Sequence, residues 1–224
     1  MTRDLAACLQ HTNVRPEATR ADIERLLAEC VDHGFNGAMV SPIWVPLAAG
    51  SLRGTGVQVC TALDFPMGGG STASVARAAA EARELGADQL DVMTRPGWLR
   101  SGMIAEYRDH LVAVVEAAGG APVKAMLEAA LLTDDELARA IDLCAESGIA
   151  YVKNSSGFGG GDATPELVAR LCRLAARRVL VKASGGIRTR ETAESLLDAG
   201  ADLLGSSASV RVVGGHAGEE ATAY

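Results

Sequence analysis

The chain has 224 residues, 48% of them hydrophobic, and a formal net charge of −7, which suits one large α/β domain able to bury its core without disulfides or metals. The acid excess excludes a general nucleic-acid or membrane-surface binder, since both need a basic face. Five scattered cysteines with no CxxC pair (Cys8, Cys30, Cys60, Cys144 and Cys172) read as the reduced thiols of a cytoplasmic protein.

In chain order, a short N-terminal helix leads to a strand at Ala7 to His11. Ile23, Leu26, Leu27 and Cys30 then recur at helical spacing, and Gly34 closes that helix ahead of a strand at Ala38 to Val40. A strand at Val57 to Thr61 follows. A helix closed by Gly86 precedes Leu90 to Val92, and the next strand is Val123 to Leu127. Thr133-Asp134-Asp135-Glu136 is a capping box opening a helix that Gly148 closes, before Tyr151 to Lys153. Pro165 at a first helical position opens another helix, ahead of Val179 to Lys182. Gly200 closes the last helix before Leu203 to Gly205. The four closing glycines lie 52, 62 and 52 residues apart, and each interval holds two strand–helix units of about 25–30 residues.

Eight such units predict a (β/α)₈ TIM barrel with a short N-terminal helix, residues 1–213 as a single domain and 214–224 as a flexible tail. A doubly wound open sheet is the alternative. It wants a glycine-rich loop after the first strand, and Gln10-His11-Thr12-Asn13 is not one. His11, His33, His110 and His216 show no ligand spacing, so neither a metal nor another cofactor is expected. There is no secretory h-region and no apolar run near 18 residues, so no membrane partner is expected.

Positive charge is carried by eighteen arginines and only three lysines, Lys124, Lys153 and Lys182. An amine can lose its proton and attack a carbonyl, whereas a guanidinium stays charged. Lys153 and Lys182 close short strands, and functional groups of a barrel sit at the carboxyl ends of strands. Asp91 and Glu128 join them there. A second ammonium and burial together can lower one amine's pKa by about 3, worth ~4 kcal/mol, and yield a nucleophile for Schiff-base chemistry. Asp91 then suits proton transfer, while Glu128 suits either an accessory role or holding a loop. Lys124 starts its strand, which places it toward the opposite, stability face in a structural role.

Gly185-Gly186-Ile187-Arg188 after the seventh strand and Gly205-Ser206-Ser207 after the eighth are placed to cradle a phosphate, with Gly157 as a third edge. Tyr224, at the end of the tail, is either a frayed terminus or an accessory acid dipping into the barrel mouth.

These residues resemble the deoxyribose-phosphate aldolase family across about residues 5–213. The resemblance rests on His11-Thr12, Arg15-Pro16-Glu17-Ala18-Thr19, Phe65-Pro66-Met67-Gly68, Leu99-Arg100-Ser101-Gly102 and Leu131-Leu132-Thr133-Asp134. Its most specific parts are Val152-Lys153-Asn154-Ser155-Ser156-Gly157-Phe158-Gly159 and Val181 to Thr189, which contains Lys182-Ala183-Ser184-Gly185-Gly186. It implies a class I aldolase that reversibly cleaves 2-deoxy-D-ribose 5-phosphate to D-glyceraldehyde 3-phosphate and acetaldehyde in carbohydrate catabolism, as a homodimer. It implies Lys153 as the Schiff-base lysine, Lys182 as the neighbour that lowers its pKa, and Asp91 in the proton relay. Gly185, Gly186, Ser206 and Ser207 would lie near the phosphate. Spacing alone does not choose Lys153 over Lys182. Gln10, Met39, Asp64, Arg95, Ala129-Ala130 and Asn154 depart from the family's usual residues. They keep open a divergent aldolase that acts on a different aldehyde or sugar phosphate in a biosynthetic pathway. A catalytically silent barrel that binds a sugar phosphate or a protein is the third reading.

Overall fold

Gly34, Gly86, Gly148 and Gly200 all take positive φ, between 64° and 109°, in a computed structural model of the protein that describes residues 4–214. Each reverses the chain after a helix and aims it into the next strand, as left-handed glycines do. The strands are β1 (Leu9–Asn13), β2 (Gly37–Val40), β3 (Gln58–Leu63), β4 (Gln89–Met93), β5 (Val123–Met126), β6 (Tyr151–Lys153), β7 (Leu180–Ser184) and β8 (Leu203–Ser206). All pair in parallel, in sequence order, and β8 returns to β1. The closed barrel removes the open doubly wound sheet from consideration.

The helices are α1 (Arg20–His33), α2 (Val45–Ser51), α3 (Thr72–Glu84), α4 (Pro96–Arg100), α5 (Ile104–Ala117), α6 (Asp134–Glu146), α7 (Pro165–Ala175), α8 (Arg190–Asp198) and α9 (Ser209–Gly214). Reciprocal capping boxes start α1 at Thr19 with Asp22 and α6 at Thr133 with Glu136, each contributing about 1 kcal/mol. Pro165 opens α7 as its sequence position requires. The apolar stripe of α1, made of Ile23, Leu26, Leu27 and Cys30, is fully buried against the barrel.

Two details differ from the sequence expectation. The first strand begins at Leu9 rather than Ala7 and runs on to Asn13. The turn before it is a three-residue 3₁₀ segment, Ala6–Cys8, too short to form an α-helix. β8 pairs with the first strand as far as His11 and β2 as far as Asn13, and a local pattern does not show that. Residues 215–224, which include Tyr224, lie outside the described part of the chain.

Strands in a parallel barrel are covered on both faces and tend to read as continuous apolar runs. Here the outward faces pack under the helices as one large apolar cluster. The inward faces split in two. Met39, Cys60, Ala62, Met93 and Met126 make a small apolar cluster on the β2–β5 side. Most of the remaining interior is polar, and it holds all three lysines.

Candidate active site

Asp91 stands at the middle of β4 with its side chain inside the barrel, fully buried. Its Oδ1 lies 3.0 Å from Lys124 Nζ. Its Oδ2 lies 2.8 Å from Lys182 Nζ and 3.4 Å from Lys153 Nζ. One carboxylate therefore serves three amines. Strand register explains the convergence: Asp91 is paired with Lys124, and Lys153 with Lys182, on neighbouring strands. Side chains at paired positions of a parallel sheet point to the same face.

The expectation for Lys124 is corrected here. It does sit near the start of β5, but its side chain is inward and fully buried, and its amine rises to Asp91 instead of staying at the opposite face. Asp91 and Lys182 are also mid-strand rather than terminal, and only Lys153 closes its strand. The three amines differ in access. Lys153 is 8% exposed, whereas Lys124 and Lys182 are sealed at 0% and 1%. Lys153 is the amine a substrate entering from the mouth meets first, and its Nζ also lies 3.6 Å from Met126 Sδ.

Electrostatics separate the three further. Burial pushes the Lys182 amine down to about 7, helped by the Lys153 and Lys124 ammonium groups and opposed by Asp91. Burial works the same way on Lys124, but the charge and hydrogen bond of Asp91, with Cys60 and Tyr151, together outweigh it and raise the pKa. For Asp91, burial alone would raise the carboxyl, and the surrounding lysines, Lys124 foremost, hold it far below the ordinary carboxylate range.

Lys182 has a second partner that no catalytic reading of the sequence proposed. Gln10 Oε1 accepts a hydrogen bond from its Nζ at 2.6 Å. The Gln10 amide in turn donates to Asn36 Oδ1 and Gln89 Oε1, both at 3.0 Å. These bonds fix which way the amide faces, with oxygen toward the amine. Gly205, paired with Gln10 across β8, leaves the room: a Cβ there would lie 3.2 Å from Lys182 Cε. The available signal was Gln10 itself, a buried-strand polar residue one position before His11.

The other predicted residues sit above this layer. Glu128 does not join the amines. It takes φ +51° just beyond β5, and its Oε1 accepts from Ser156 N at 2.5 Å. A Cβ on Gly159 would fall 2.1 Å from its Oε2, so Glu128 seats the β6–α7 loop against glycine. Gly157 lies in that loop and is exposed. Gly185 and Gly186 follow β7 with φ +95° and +73°. Arg188 is exposed beside them. Ser206 is buried, and its Oγ donates to Ile187 O at 2.7 Å and accepts from Ala208 N at 2.9 Å, so its hydroxyl ties the seventh loop to the eighth. Ser207 is half-buried next to it.

Most of the unusual strand-end residues are engaged within the protein. Asn154 bridges β6 and β7, donating to Ser184 O at 2.9 Å and accepting from Ser184 N at 2.8 Å. Arg95 forms a nearly buried ion pair with Asp64 at 2.6 Å and donates to Gly70 O at 2.8 Å. Asp64 accepts from Gly70 N in return, so the pair clasps the β3–α3 and β4–α4 loops together.

No family model matches the chain. It is 45% identical over 208 residues to a deoxyribose-phosphate aldolase of Thermosynechococcus vestitus, spanning 92% of this chain and 94% of that one. A solved structure described as a tetrameric deoxyribose phosphate aldolase of Aeropyrum pernix superposes with a TM-score of 0.87 at 32% identity, covering 94% of this chain and 89% of that one. A structure titled QR15, an aldolase, matches with a TM-score of 0.91 at 29% identity, over 95% and 96% of the two chains.

Proposed function

Because the chain belongs to the deoxyribose-phosphate aldolase family, we propose that Lys153 forms a Schiff base with 2-deoxy-D-ribose 5-phosphate and cleaves it reversibly to D-glyceraldehyde 3-phosphate and acetaldehyde. The observation that carries this reading is the single buried carboxylate of Asp91 shared among three lysines.

The Lys153 amine attacks the C1 aldehyde and, with loss of water, gives an iminium. Removal of the C3 hydroxyl proton breaks the C2–C3 bond, and its electron pair moves into the iminium to give an enamine. D-Glyceraldehyde 3-phosphate leaves. Protonation of the enamine at C2 and hydrolysis then release acetaldehyde and free Lys153. Lys182 is suited to carry protons in this sequence because burial holds its amine near 7. As a neutral amine it has two N–H donors and one lone pair. Gln10 Oε1 and Asp91 Oδ2 accept the two donors, which leaves the lone pair free to take a proton from Lys153 or from the reacting sugar. Asp91 holds both amines in place and balances the charge that forms. Lys124 supplies the positive charge that keeps Asp91 ionised.

The terminal phosphate lies, in this reading, against the loops of Gly185, Gly186 and Arg188 and of Gly205, Ser206 and Ser207, with Gly157 at the edge. Glu128 acts through the β6–α7 loop, and Tyr224 is an accessory acid to be tested by removing it and following proton exchange. The divergent-substrate reading loses support, because Asp64, Arg95, Asn154 and Gln10 are engaged by protein groups. A cytoplasmic role in carbohydrate catabolism and a homodimeric assembly complete the proposal. The free cysteines support the cytoplasmic setting, and family membership supports the catabolic role. Among the described residues no helix is long and apolar enough to cross a membrane.

The test is turnover of 2-deoxyribose 5-phosphate, measured as the release of both aldehydes, for the wild type and for Lys153→Arg. The reading requires cleavage by the first and its loss, by about 10⁴-fold or more, in the second. A Lys153→Arg enzyme that still turns over would overturn it.

A further inference from the structure

The glycine pair after β7 is pressed by an acid. A Cβ built on Gly186 would lie 2.8 Å from both Cγ and Oδ2 of Asp162, and one on Gly185 would lie 3.3 Å from Asp162 Cα and Oδ1. The carboxylate of Asp162 therefore rests directly on the Cα atoms of the two residues proposed to face the sugar's phosphate. It is fixed there by backbone: the neighbouring Ala163 N–H donates to Gly185 O at 3.1 Å, and Thr164 then caps α7. Both glycines have positive φ, so this close approach is open to no other residue without strain. Among the described residues, Asp162 has no hydrogen-bonding or ion-pairing partner, and it is exposed. Its charge is thus uncompensated at the point where an anionic substrate group would dock.

We infer that Asp162 is a specificity-determining residue: it weakens the hold of this site on a dianionic phosphate and lets unphosphorylated 2-deoxy sugars compete as substrates. This rests on the reading that the 5-phosphate docks at Gly185 and Gly186. A like charge built against one ligand raises specificity for another without any new attractive contact. A carboxylate and a phosphate dianion several ångströms apart in a solvent-bathed cleft repel enough to change affinity about tenfold. Salt weakens such a repulsion. The neutral hydroxymethyl end of an unphosphorylated sugar carries no such penalty and can donate a hydrogen bond to the carboxylate. The competing explanation is purely structural: an acid just ahead of a helix N-terminus stabilises α7. That role does not discriminate between substrates.

The experiment measures kcat/KM for 2-deoxyribose 5-phosphate and for 2-deoxyribose in the wild type, Asp162→Asn, Asp162→Ala and Ser207→Asp, at low and high salt. The expected result is a rise of about tenfold in the phosphorylated-to-unphosphorylated ratio for both Asp162 variants. It should come from a lower KM for the phosphate ester, and it should shrink at high salt. Ser207→Asp, which adds a like charge on the facing loop, should lower the ratio. An unchanged ratio in both Asp162 variants, with a response to Ser207→Asp, overturns the role of Asp162 and leaves the phosphate site standing. An unchanged ratio in all three overturns both.

Discussion

Gln10 Oε1 lies 2.6 Å from the amine of Lys182, and it is a neutral acceptor. An amide orients the lysine without favouring its charged form, whereas a carboxylate at the same distance would stabilise the ammonium. The Lys182 amine lies near 7 because burial, helped by two neighbouring ammonium groups, outweighs Asp91 and Cys60. Gln10→Glu should therefore move the basic amine upward. In a profile of kcat/KM against pH, the wild type should gain activity as Lys182 loses its proton around pH 7. The variant should do so at least one pH unit higher, with about tenfold lower activity at neutral pH. A profile that does not move would show that Gln10 has no electrostatic bearing on Lys182.

Asp91 is the sole carboxylate in contact with three buried amines among the described residues. Asp91→Asn leaves those amines without a counter-charge and should destabilise the fold by about 3–5 kcal/mol, besides abolishing turnover. The sign of its pH dependence follows from a folded pKa depressed below the unfolded one. The stability contributed by ionised Asp91 is complete above the ordinary carboxylate pKa of about 4 and is lost as pH falls below it. Urea denaturation of the wild type across pH should therefore show the contribution of Asp91 intact from neutral pH down to about 5 and lost only in stronger acid.

Asp64 and Arg95 are 15% and 6% exposed, so their ion pair is close to a buried one. Removing either partner strands a charge, while removing both strands none. Asp64→Asn and Arg95→Met should each cost about 2–4 kcal/mol, and the double variant should cost less than their sum by more than about 1 kcal/mol. A double-mutant cycle by denaturant melts decides this, and strict additivity would contradict the clasp.

Asn154 makes two hydrogen bonds to the backbone of Ser184 at the ends of the strands that carry Lys153 and Lys182. Asn154→Ala leaves two buried backbone groups unpaired, at about 1–3 kcal/mol. Because it loosens the spacing of the two lysines, kcat should fall more than KM rises. A loss confined to KM would instead assign Asn154 to substrate binding.

The barrel was legible because each closing glycine, capping box and apolar helical stripe is a local signal, and Gly34, Gly86, Gly148, Thr133 and Pro165 all do what their positions require. Lys153, Lys182 and Asp91 were legible as a set, since lysine is scarce and strand ends are where barrels act. The place of Lys124 was not. A long side chain moves an amine several ångströms from its own Cα, and residue position alone put it at the wrong face. Gln10 escaped for a different reason: its partners lie 26, 79 and 172 residues away in sequence, a convergence that only barrel closure produces. Glu128 shows a further limit. Spacing brought it near the lysines, but its left-handed backbone turns the carboxylate to the β6–α7 loop.

The central claim is that Lys153, and not its strand neighbour Lys182, carries the covalent intermediate. Borohydride reduction in the presence of acetaldehyde, followed by peptide mass mapping, tests it most directly. The geometry predicts a reduced two-carbon adduct on Lys153, the more open amine, and none on Lys182 or Lys124. An adduct on Lys182, or no adduct at all while the enzyme turns over, would contradict the account.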